Sequence, residues 1–339
     1  MTLRVAWLVY GSLEQVSGGY IYDRLVVEQL RALGDTVSVI SLTPGQTSLP
    51  DLRAGELDAI VGDELCFREL LPLFKGAAAG VRRVLLVHHL TAWEHPPGPE
   101  RDAVLALERA VIAAADECVA TSHVTADRLY AEGIARKVRV AEPGADRMPR
   151  PDTGGQEPSS ALIRLLFVGN ILRRKRVLEL CETFGSMTCA SAELVLVGAE
   201  LEPEYAEEVR AAVAQAGVGH RVRFLGSLPA ERVAEQLAHA DALVLPSILE
   251  GYGMVLSEAL WASVPVIAAR VGAAAQLVAQ TGAGLLYEPD DPFALGATLS
   301  AFVNDGALRA RLRRSAWDAA ESLPRWSETA VALRASLAR

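Results

Sequence analysis

The chain has 339 residues, of which 51% are hydrophobic and 22% charged. This composition is typical of a globular protein with an ample core, and the length fits two domains of ordinary size. The net charge of −9 argues against nucleic acid as a partner, because binding it requires a clustered positive face. No apolar run approaches the ~20 residues that span a bilayer, so no transmembrane segment is expected. A peripheral membrane contact through one local basic patch stays open.

Cysteine usage and the N-terminus both favour a cytoplasmic location. The chain has four scattered cysteines without a Cys-x-x-Cys pair: Cys66, Cys118, Cys181 and Cys189. In a chain of this size the pattern is typical of free thiols in a reducing compartment. The apolar segment 3–10 turns polar at Glu14 without a small-residue cleavage site, so it predicts a first strand and not a signal peptide.

The first half of the chain alternates predicted strands and helices. A strand over 5–10 is followed by a loop that contains Gly18 and Gly19, and then by a helix over 21–33 with apolar residues at helical spacing. A β-branched strand over 36–41 comes next. This βαβ rhythm predicts a doubly wound parallel sheet, and the glycine pair lies at the edge where such sheets bind ligands. A simple turn is the alternative interpretation of the pair.

An apolar strand over 82–90 delivers two adjacent histidines, His88 and His89, to its carboxyl end. Adjacent side chains on a strand point to opposite faces, so at most one is expected to face a ligand. Two alternatives remain at this point. The pair could be ordinary loop histidines, or it could bind a metal with His95, although no neighbouring Cys or second carboxylate completes such a site.

The second half begins after a polar, Pro- and Gly-containing segment over 149–160, which is typical of a linker. A strand over 162–168 then leads into a turn that starts with Gly169 and Asn170. Four successive basic residues follow in this turn: Arg173, Arg174, Lys175 and Arg176. At the carboxyl end of a strand they favour neutralisation of phosphate charge, with a solvated surface as the alternative.

The most informative stretch runs from a predicted strand over 242–245 to a predicted helix over 254–262. Between them lie two glycines, Gly251 and Gly253, which allow backbone to approach a ligand closely. The start of the helix favours an anion, most simply a phosphate. Glu250 and Glu258, with seven residues between them, should repel that phosphate unless they accept hydrogen bonds from sugar hydroxyls. The stretch therefore predicts a phosphate site with a sugar on both sides.

This stretch resembles the signature of the family-four retaining glycosyltransferases of GT-B fold. It joins Pro-Ser, Glu-Gly-Tyr-Gly, a second Glu and a Pro-Val strand in the same order, with Ser263 and Val264 at a position that is often Gly. The resemblance implies that Glu250 faces the donor sugar and that Glu258 holds the ribose of the nucleotide. It also implies that the intervening loop binds the donor through Gly251, Tyr252, Gly253, Met254 and Val255.

The resemblance implies a fold of two Rossmann-like doubly wound domains that face each other across a cleft. The N-terminal acceptor domain would cover residues 1–150, with a helix at about 326–339 packing back onto it. The C-terminal donor domain would cover residues 161–325, and the linker should behave as a hinge.

Further site residues follow from the same resemblance. His88 takes the place of a catalytic histidine beside the donor sugar, and His89 is the alternative candidate for this role. Gly18 and Gly19 match a loop that closes over the donor phosphates and the acceptor. Tyr20, Tyr22, Asp23 and Arg24 would line the acceptor side.

The basic turn matches the family less closely. Gly169 and Lys175 agree with it, but Asn170 stands where the family has Arg, and Arg176 where it has Gly. Arg174, or alternatively Arg173, would have to supply the second charge of the diphosphate clamp.

The expected function is metal-independent, cofactor-free transfer of a sugar from a nucleotide-diphosphate sugar to a hydroxyl acceptor. The acceptor could be a small molecule, a glycan or a lipid-linked sugar. Two alternatives are a sugar-nucleotide epimerase of the same fold and a non-catalytic scaffold, the latter motivated by Asn170, Ala273 and Gln276. A phosphorylase would need a pyridoxal-phosphate lysine in the second domain, where Lys175 is the only lysine.

Overall fold

The computed structural model describes residues 2–48, 50, 52, 56–77, 80–150, 162–187 and 191–338. Cys189 and most of the predicted linker, residues 151–160, lie outside the described residues. The chain forms two compact units, unit 1 with Met1–Gly144 and Pro324–Arg339, and unit 2 with Ala145–Leu323. Residues 145–150, which the sequence places in the first domain, therefore belong to unit 2.

Unit 1 is built on a six-stranded parallel sheet with the strand order β2-β1-β3-β4-β5-β6. The strands are β1 (Arg4–Tyr10), β2 (Thr36–Leu42), β3 (Ala59–Asp63), β4 (Arg82–Val87), β5 (Glu117–Ala120) and β6 (Val138–Val140). The helices are α1 (Gly18–Ala32), α2 (Phe67–Gly76), α3 (Pro99–Ala114), α4 (His123–Ala131) and, from the end of the chain, α12 (Trp326–Leu337).

Unit 2 has its own six-stranded parallel sheet, with the order β12-β11-β10-β7-β8-β9. The strands are β7 (Ile163–Val168), β8 (Ala192–Val197), β9 (Val222–Phe224), β10 (Ala242–Leu245), β11 (Val266–Ala269) and β12 (Gly284–Tyr287). The helices are α5 (Val177–Ser186), α6 (Pro203–Gln215), α7 (Ala230–Ala238), α8 (Met254–Trp261), α9 (Gly272–Thr281), α10 (Ala294–Asn304) and α11 (Gly306–Ala319).

The prediction of doubly wound parallel sheets is confirmed in both units. Strands such as β10 and β11 are buried along their whole length, which is why they consist of continuous apolar runs and not of alternating residues. The strand order reverses between β1 and β3 in unit 1 and between β7 and β10 in unit 2. In open α/β sheets ligands bind at the carboxyl ends of the strands that flank such a reversal.

Helix α12 packs onto unit 1 through both polar and aromatic contacts. Its Arg334 binds the carboxylate of Asp35 through two nitrogens, at 2.7 and 2.9 Å. At the other end of the helix, the ring of Trp326 meets that of Tyr22 edge-on, with 5.6 Å between centroids. These contacts tie the end of the chain to α1 and to the turn that follows it.

Two observations bear on the surroundings of the protein. Within the described ranges, no helix combines the length and the apolar character that crossing a membrane requires. The three cysteines that the structure describes, Cys66, Cys118 and Cys181, are buried free thiols.

Candidate functional site

A partly buried ion pair joins the two loops at the strand reversal of unit 2. The loop after β7 carries Lys175 at the end of a short 3₁₀ helix, and the loop after β10 carries Glu250. The Lys175 ammonium binds Oε1 of Glu250, with 13% and 14% of the two side chains exposed. Burial opposes ionisation of Glu250, but the charges of Lys175 and Arg174 outweigh it, so the pKa of Glu250 is lowered. Glu250 is therefore ionised where the sequence predicts a phosphate with a sugar on both sides.

The loop after β7 packs closely against the loop after β8 and forms hydrogen bonds with it. Gly198 has a φ of +154°, and a Cβ at this position would lie 1.9 Å from the carbonyl oxygen of Gly169. The amide of Ile171 donates to the carbonyl of Ala199 at 2.8 Å, and the amide of Ala199 donates to Oδ1 of Asn170 at 3.3 Å. The Asn170 side chain, at the family's Arg position, thus fastens the basic turn to the neighbouring loop.

The two candidate arginines of this turn have different surroundings. Arg173 is 61% exposed, and its guanidinium binds the carboxylate of Glu208 on α6 at 2.8 and 3.0 Å. Nη1 of Arg174 lies 3.5 Å from the carbonyl oxygen of Leu249, and its charge acts on the neighbouring Glu250. Of the two, Arg174 is placed to add a second positive charge beside Glu250.

Helix α8 starts on a left-handed glycine. Gly253 precedes the helix with φ +77° and ψ +57°, and a Cβ there would lie 3.0 Å from Leu256 Cδ1. A side chain is disfavoured by both the backbone and the contact. The helix has no side-chain cap at this end, so its first amides can face an anion. The donor-binding residues predicted for this loop are all partly exposed: Gly251, Tyr252, Gly253, Met254 and Val255.

Glu258, in the second turn of α8, is paired with an arginine that the sequence did not reveal. Nη2 of Arg147 donates to Oε2 of Glu258 at 2.9 Å, and Nε lies 2.8 Å from Oε1. The two side chains are 12% and 3% exposed. The carboxylate therefore does not point into bulk solvent. No spacing rule links these residues, because 111 positions separate them.

Two departures from the family pattern fall on strained backbone. Arg176 and Ser263 have φ values of +52° and +63°, in the left-handed region. This conformation costs a residue with a side chain about 1–2 kcal/mol, which explains why the family often has Gly at both positions. Hydrogen bonds of these two residues offset part of this cost. Nη1 of Arg176 donates to the carbonyl of Pro289 at 3.1 Å, and the amide of Ser263 donates to the carbonyl of Leu260 at 2.9 Å.

In unit 1, His88 follows β4 and packs against α1. Its Nε2 lies 3.3 Å from Oδ1 of Asp23, and its ring meets that of Tyr22 edge-on at 5.2 Å. A Cβ on Gly19 would lie 3.3 Å from Cδ2 of His88. The backbone of His88 is also held, since its amide donates to Glu64 at 3.0 Å and its carbonyl accepts from the Thr125 hydroxyl at 3.3 Å. Several independent contacts thus fix the imidazole.

The predicted glycine loop is wrong in one respect. Gly18 and Gly19 are the first two residues of α1 and not a loop before it. The helix begins earlier than its apolar pattern because Ser17 is extended and its carbonyl accepts the amide of Ile21 at 3.0 Å. Gly19 is therefore required by the close approach of His88 and not by an unusual backbone conformation.

The carboxyl groups beneath His88 form a buried acidic cluster. Asp23 is 0% exposed and accepts a hydrogen bond from Nε1 of Trp7 at 3.1 Å. Burial raises the pKa of Asp23 to about 7. Burial and the neighbouring Asp23 raise the pKa of Asp63 to about 6, and burial also raises that of Glu64. Burial lowers the pKa of His88, so near neutral pH the imidazole is neutral while the carboxyl groups share protons.

Two predictions about neighbouring side chains need comment. Of the four residues expected to line the acceptor side, Tyr22 and Asp23 are fully buried, so the prediction is wrong for these two. Tyr20 and Arg24 are partly exposed. Tyr22 and Asp23 lie on the face of α1 that packs on the sheet, and the Tyr22 hydroxyl donates to the carbonyl of Ala141 at 2.8 Å. His89 is directed elsewhere, with Nε2 at 2.8 Å from Oε1 of Glu94. His88 is the histidine that belongs to the cluster.

The same cluster offers a possible metal-ligand set. Asp23, Asp63 and His88 each present a ligand atom, and these atoms lie within 4.8 Å of one another. The sequence showed no such cluster, because the three residues come from α1, β3 and the end of β4. Neither His89 nor His95, the pair weighed from the sequence, is part of it.

Comparisons with known proteins agree with these features. Residues 157–318 match the family model "Glycosyl transferases group 1". A D-inositol 3-phosphate glycosyltransferase of Streptomyces avermitilis is 33% identical over 251 residues, which are 66% of this chain and 54% of that protein. D-inositol 3-phosphate glycosyltransferase 1 of Catenulispora acidiphila is 31% identical over 272 residues, 74% of this chain and 64% of that protein. The match thus spans less than two thirds of these relatives' length.

Solved structures show the same fold. Sucrose-phosphate synthase from Thermosynechococcus elongatus has a TM-score of 0.82 at 21% identity, with 98% of both chains covered. The Anabaena protein HepE in complex with UDP has a TM-score of 0.78 at 18% identity, with 99% of both chains covered. The family model over residues 157–318, the relatives and the two six-stranded parallel sheets together support a family-four, group 1 glycosyltransferase of GT-B fold.

Proposed function

We propose that this protein is a retaining glycosyltransferase that moves a sugar from a nucleoside diphosphate sugar to a hydroxyl group of an acceptor. The observation that carries the proposal is the partly buried Lys175–Glu250 pair next to the start of α8, which has no side-chain cap. Lys175 and the first amides of α8 can bind a diphosphate, and Glu250 in the neighbouring loop can accept hydrogen bonds from a sugar.

Four charged groups of unit 2 receive a role in this proposal: Arg174, Lys175, Glu250 and Glu258. The diphosphate binds the amides at the start of α8 and the cations Lys175 and Arg174. Glu250 accepts hydrogen bonds from the donor sugar, and Glu258 accepts them from the ribose. The loop geometry supports this division, because Lys175 and Arg174 both act on Glu250, whereas Glu258 has its own partner in Arg147.

The proposed chemistry is a front-face transfer. The bond between the anomeric carbon and the diphosphate oxygen breaks, and its electron pair stays on the diphosphate. The acceptor oxygen forms the new bond on the same face of the sugar, and its proton passes to the departing phosphate oxygen. Positive groups held in place before the reaction stabilise the charge that develops on the leaving group.

His88 is proposed as a catalytic side chain of the same reaction. Its neutral imidazole can donate or accept a hydrogen bond, and the contacts with Asp23, Tyr22 and Gly19 keep it in one orientation. A histidine held in this way loses little entropy when it binds a sugar hydroxyl.

Transfer is proposed to need neither a metal ion nor an organic cofactor, because Lys175, Arg174 and the helix amides can balance the diphosphate charge. Turnover should therefore survive dialysis against EDTA. If EDTA abolishes turnover and added Mg²⁺ or Mn²⁺ restores it, the proposed metal independence is refuted. Asp23, Asp63 and His88 would then be the candidate metal ligands to test. The buried free thiols support a reducing compartment, in agreement with a cytoplasmic reaction.

The experiment is a donor and acceptor panel. UDP-, GDP- and ADP-sugars are incubated with acceptors that include D-inositol 3-phosphate, since the relatives are named for it, and products are identified by mass spectrometry. The expected product keeps the anomeric configuration of the donor by NMR. Conversion of a donor without any acceptor would favour an epimerase. No thermal stabilisation by any of the three nucleotides would favour a scaffold.

A further inference from the structure

The segment formed by residues 145–150 is attached to unit 2 by three side-chain contacts. Arg147 binds Glu258, and the carbonyl of Met148 accepts a hydrogen bond from Nε1 of Trp261 at 2.9 Å. The guanidinium of Arg150 lies 3.9 Å from the ring centroid of Trp317 and donates to its carbonyl at 2.7 Å. The segment therefore lies against α8 and α11, and this is how Arg147 reaches the second carboxylate of the family signature.

The contact between Arg147 and Glu258 controls the orientation of the carboxylate. Nη2 bonds to one oxygen at 2.9 Å, while Nε lies beside the other at 2.8 Å. A guanidinium that meets both oxygens fixes the plane of a carboxylate, which a single point charge cannot do. Because Glu258 is only 3% exposed, removal of its partner would leave a nearly buried charge without compensation.

Glu258 keeps hydrogen-bonding capacity despite this partner. A carboxylate offers about four lone-pair directions. Oε1 has no hydrogen bond among the described residues, although Nε of Arg147 is close to it. The arginine thus compensates the charge and sets the angle of the carboxylate without using all of its acceptor sites.

We propose that Arg147 is the positioning residue for the nucleotide's ribose: it holds Glu258 so that the carboxylate can accept hydrogen bonds from the ribose hydroxyls. The proposal rests on the proposed function, since it presumes a nucleotide whose ribose meets Glu258. It adds a residue outside the Glu-x₇-Glu signature to the determinants of nucleotide binding.

The test measures how strongly the protein distinguishes a ribonucleotide from its dideoxy form. Isothermal titration calorimetry gives the Kd of UDP, GDP and ADP, and then of the 2′,3′-dideoxy form of whichever binds most tightly. The full chain is compared with Arg147→Met and Arg147→Lys. Arg150→Met is the matched control, because it removes a guanidinium from the same segment without touching Glu258.

The wild type should prefer the ribonucleotide by roughly tenfold or more, the value of a hydrogen bond to a charged group. Arg147→Met should abolish most of this preference while binding the dideoxy form as the wild type does. Arg147→Lys should retain an intermediate preference, because it keeps the charge but loses the second contact. Arg150→Met should keep the full preference.

Other outcomes overturn the inference. If Arg147→Met still prefers the ribonucleotide over its dideoxy form as strongly as the wild type does, the arginine does not orient Glu258. If Arg147→Met does not fold, the same result in Arg147→Lys leads to the same conclusion. Tighter binding of the ribonucleotide by Arg147→Met would show that the arginine blocks the carboxylate. Equal loss of affinity for both nucleotide forms would show a purely structural ion pair. A wild type that binds no nucleotide, or binds both forms equally, refutes the proposed role of Glu258 itself.

Discussion

Replacement of Gly19 by alanine should displace the His88 imidazole while helix α1 remains intact. Gly18 and Gly19 occupy the first turn of α1, and neither has a positive φ. A Cβ on Gly18 meets no atom within 4 Å, whereas one on Gly19 lies 3.3 Å from Cδ2 and 3.4 Å from Nε2 of His88. The two substitutions are therefore matched in backbone and composition and differ in one contact.

The expected magnitudes follow from this geometry. Alanine is favoured over glycine in a helix, so Gly18→Ala should raise the free energy of unfolding by about 0.5 kcal/mol. Gly19→Ala gains the same stabilisation from helix propensity, but its Cβ forces the His88 ring to move by a few tenths of an ångström. The contact between Nε2 and Asp23 is already 3.3 Å long, so such a movement takes it beyond hydrogen-bonding distance. Turnover should fall by roughly tenfold, because misplacement of a catalytic group by 1 Å costs about a hundredfold.

The assay is long-range ¹H–¹⁵N NMR of the histidine rings, with the His88 signals identified from the spectrum of His88→Gln. Gly19→Ala should change the tautomer pattern or the pKa of His88, and Gly18→Ala should leave both as in the wild type. Unfolding by urea gives the stability of each variant. An unchanged His88 spectrum in Gly19→Ala, or the same change in both variants, would refute the argument that Gly19 is there for the histidine.

Three further outcomes follow from the same structure. Gly198→Ala should lower the free energy of unfolding by about 2 kcal/mol more than Gly217→Ala in urea titrations. Both glycines have a positive φ, but a Cβ on Gly198 would meet the backbone of Gly169, whereas a Cβ on Gly217 would meet no atom within 4 Å. Equal effects would contradict the tight contact between the loops. Asp23→Asn should remove a pH dependence of stability. The pKa of Asp23 is raised from 3.8 to about 7, so stability is complete below the lower value and is lost as pH rises through the higher one, by up to about 4 kcal/mol. The variant should match the wild type at pH 4 and exceed it at pH 8, and an unaltered pH profile of unfolding would count against a buried Asp23 charge. Lys175→Met should weaken nucleotide binding by roughly a hundredfold in calorimetry and destabilise the fold by about 3 kcal/mol, since Glu250 loses its partner. Adding Glu250→Gln should restore stability but not affinity, and a double variant as unstable as the single one would disprove the pairing.

Most of the secondary structure and the architecture of each unit could be predicted from local patterns in the chain. Buried parallel strands are continuous apolar runs, and helices repeat their apolar residues at helical spacing, so both leave a local pattern. The signature around α8 is local as well. Glycine is favoured at position 253 by its own backbone and its contact with Leu256, and the spacing of Glu250 and Glu258 follows from a loop and one helical turn. Short-range rules suffice for such features.

The contacts between distant side chains could not be predicted in this way, because they depend on how whole elements pack. The partners of the two site carboxylates, Lys175 for Glu250 and Arg147 for Glu258, are 75 and 111 residues away. Asp23 and His88, which lie 65 positions apart, meet because β4 lies two strands from β1 in the sheet. Contacts of this kind depend on strand order and on the register of whole elements, and neither leaves a periodic signal in the chain. Local patterns therefore indicate where a site can form, while the packing of distant segments determines its charges, its protonation and the orientation of its side chains.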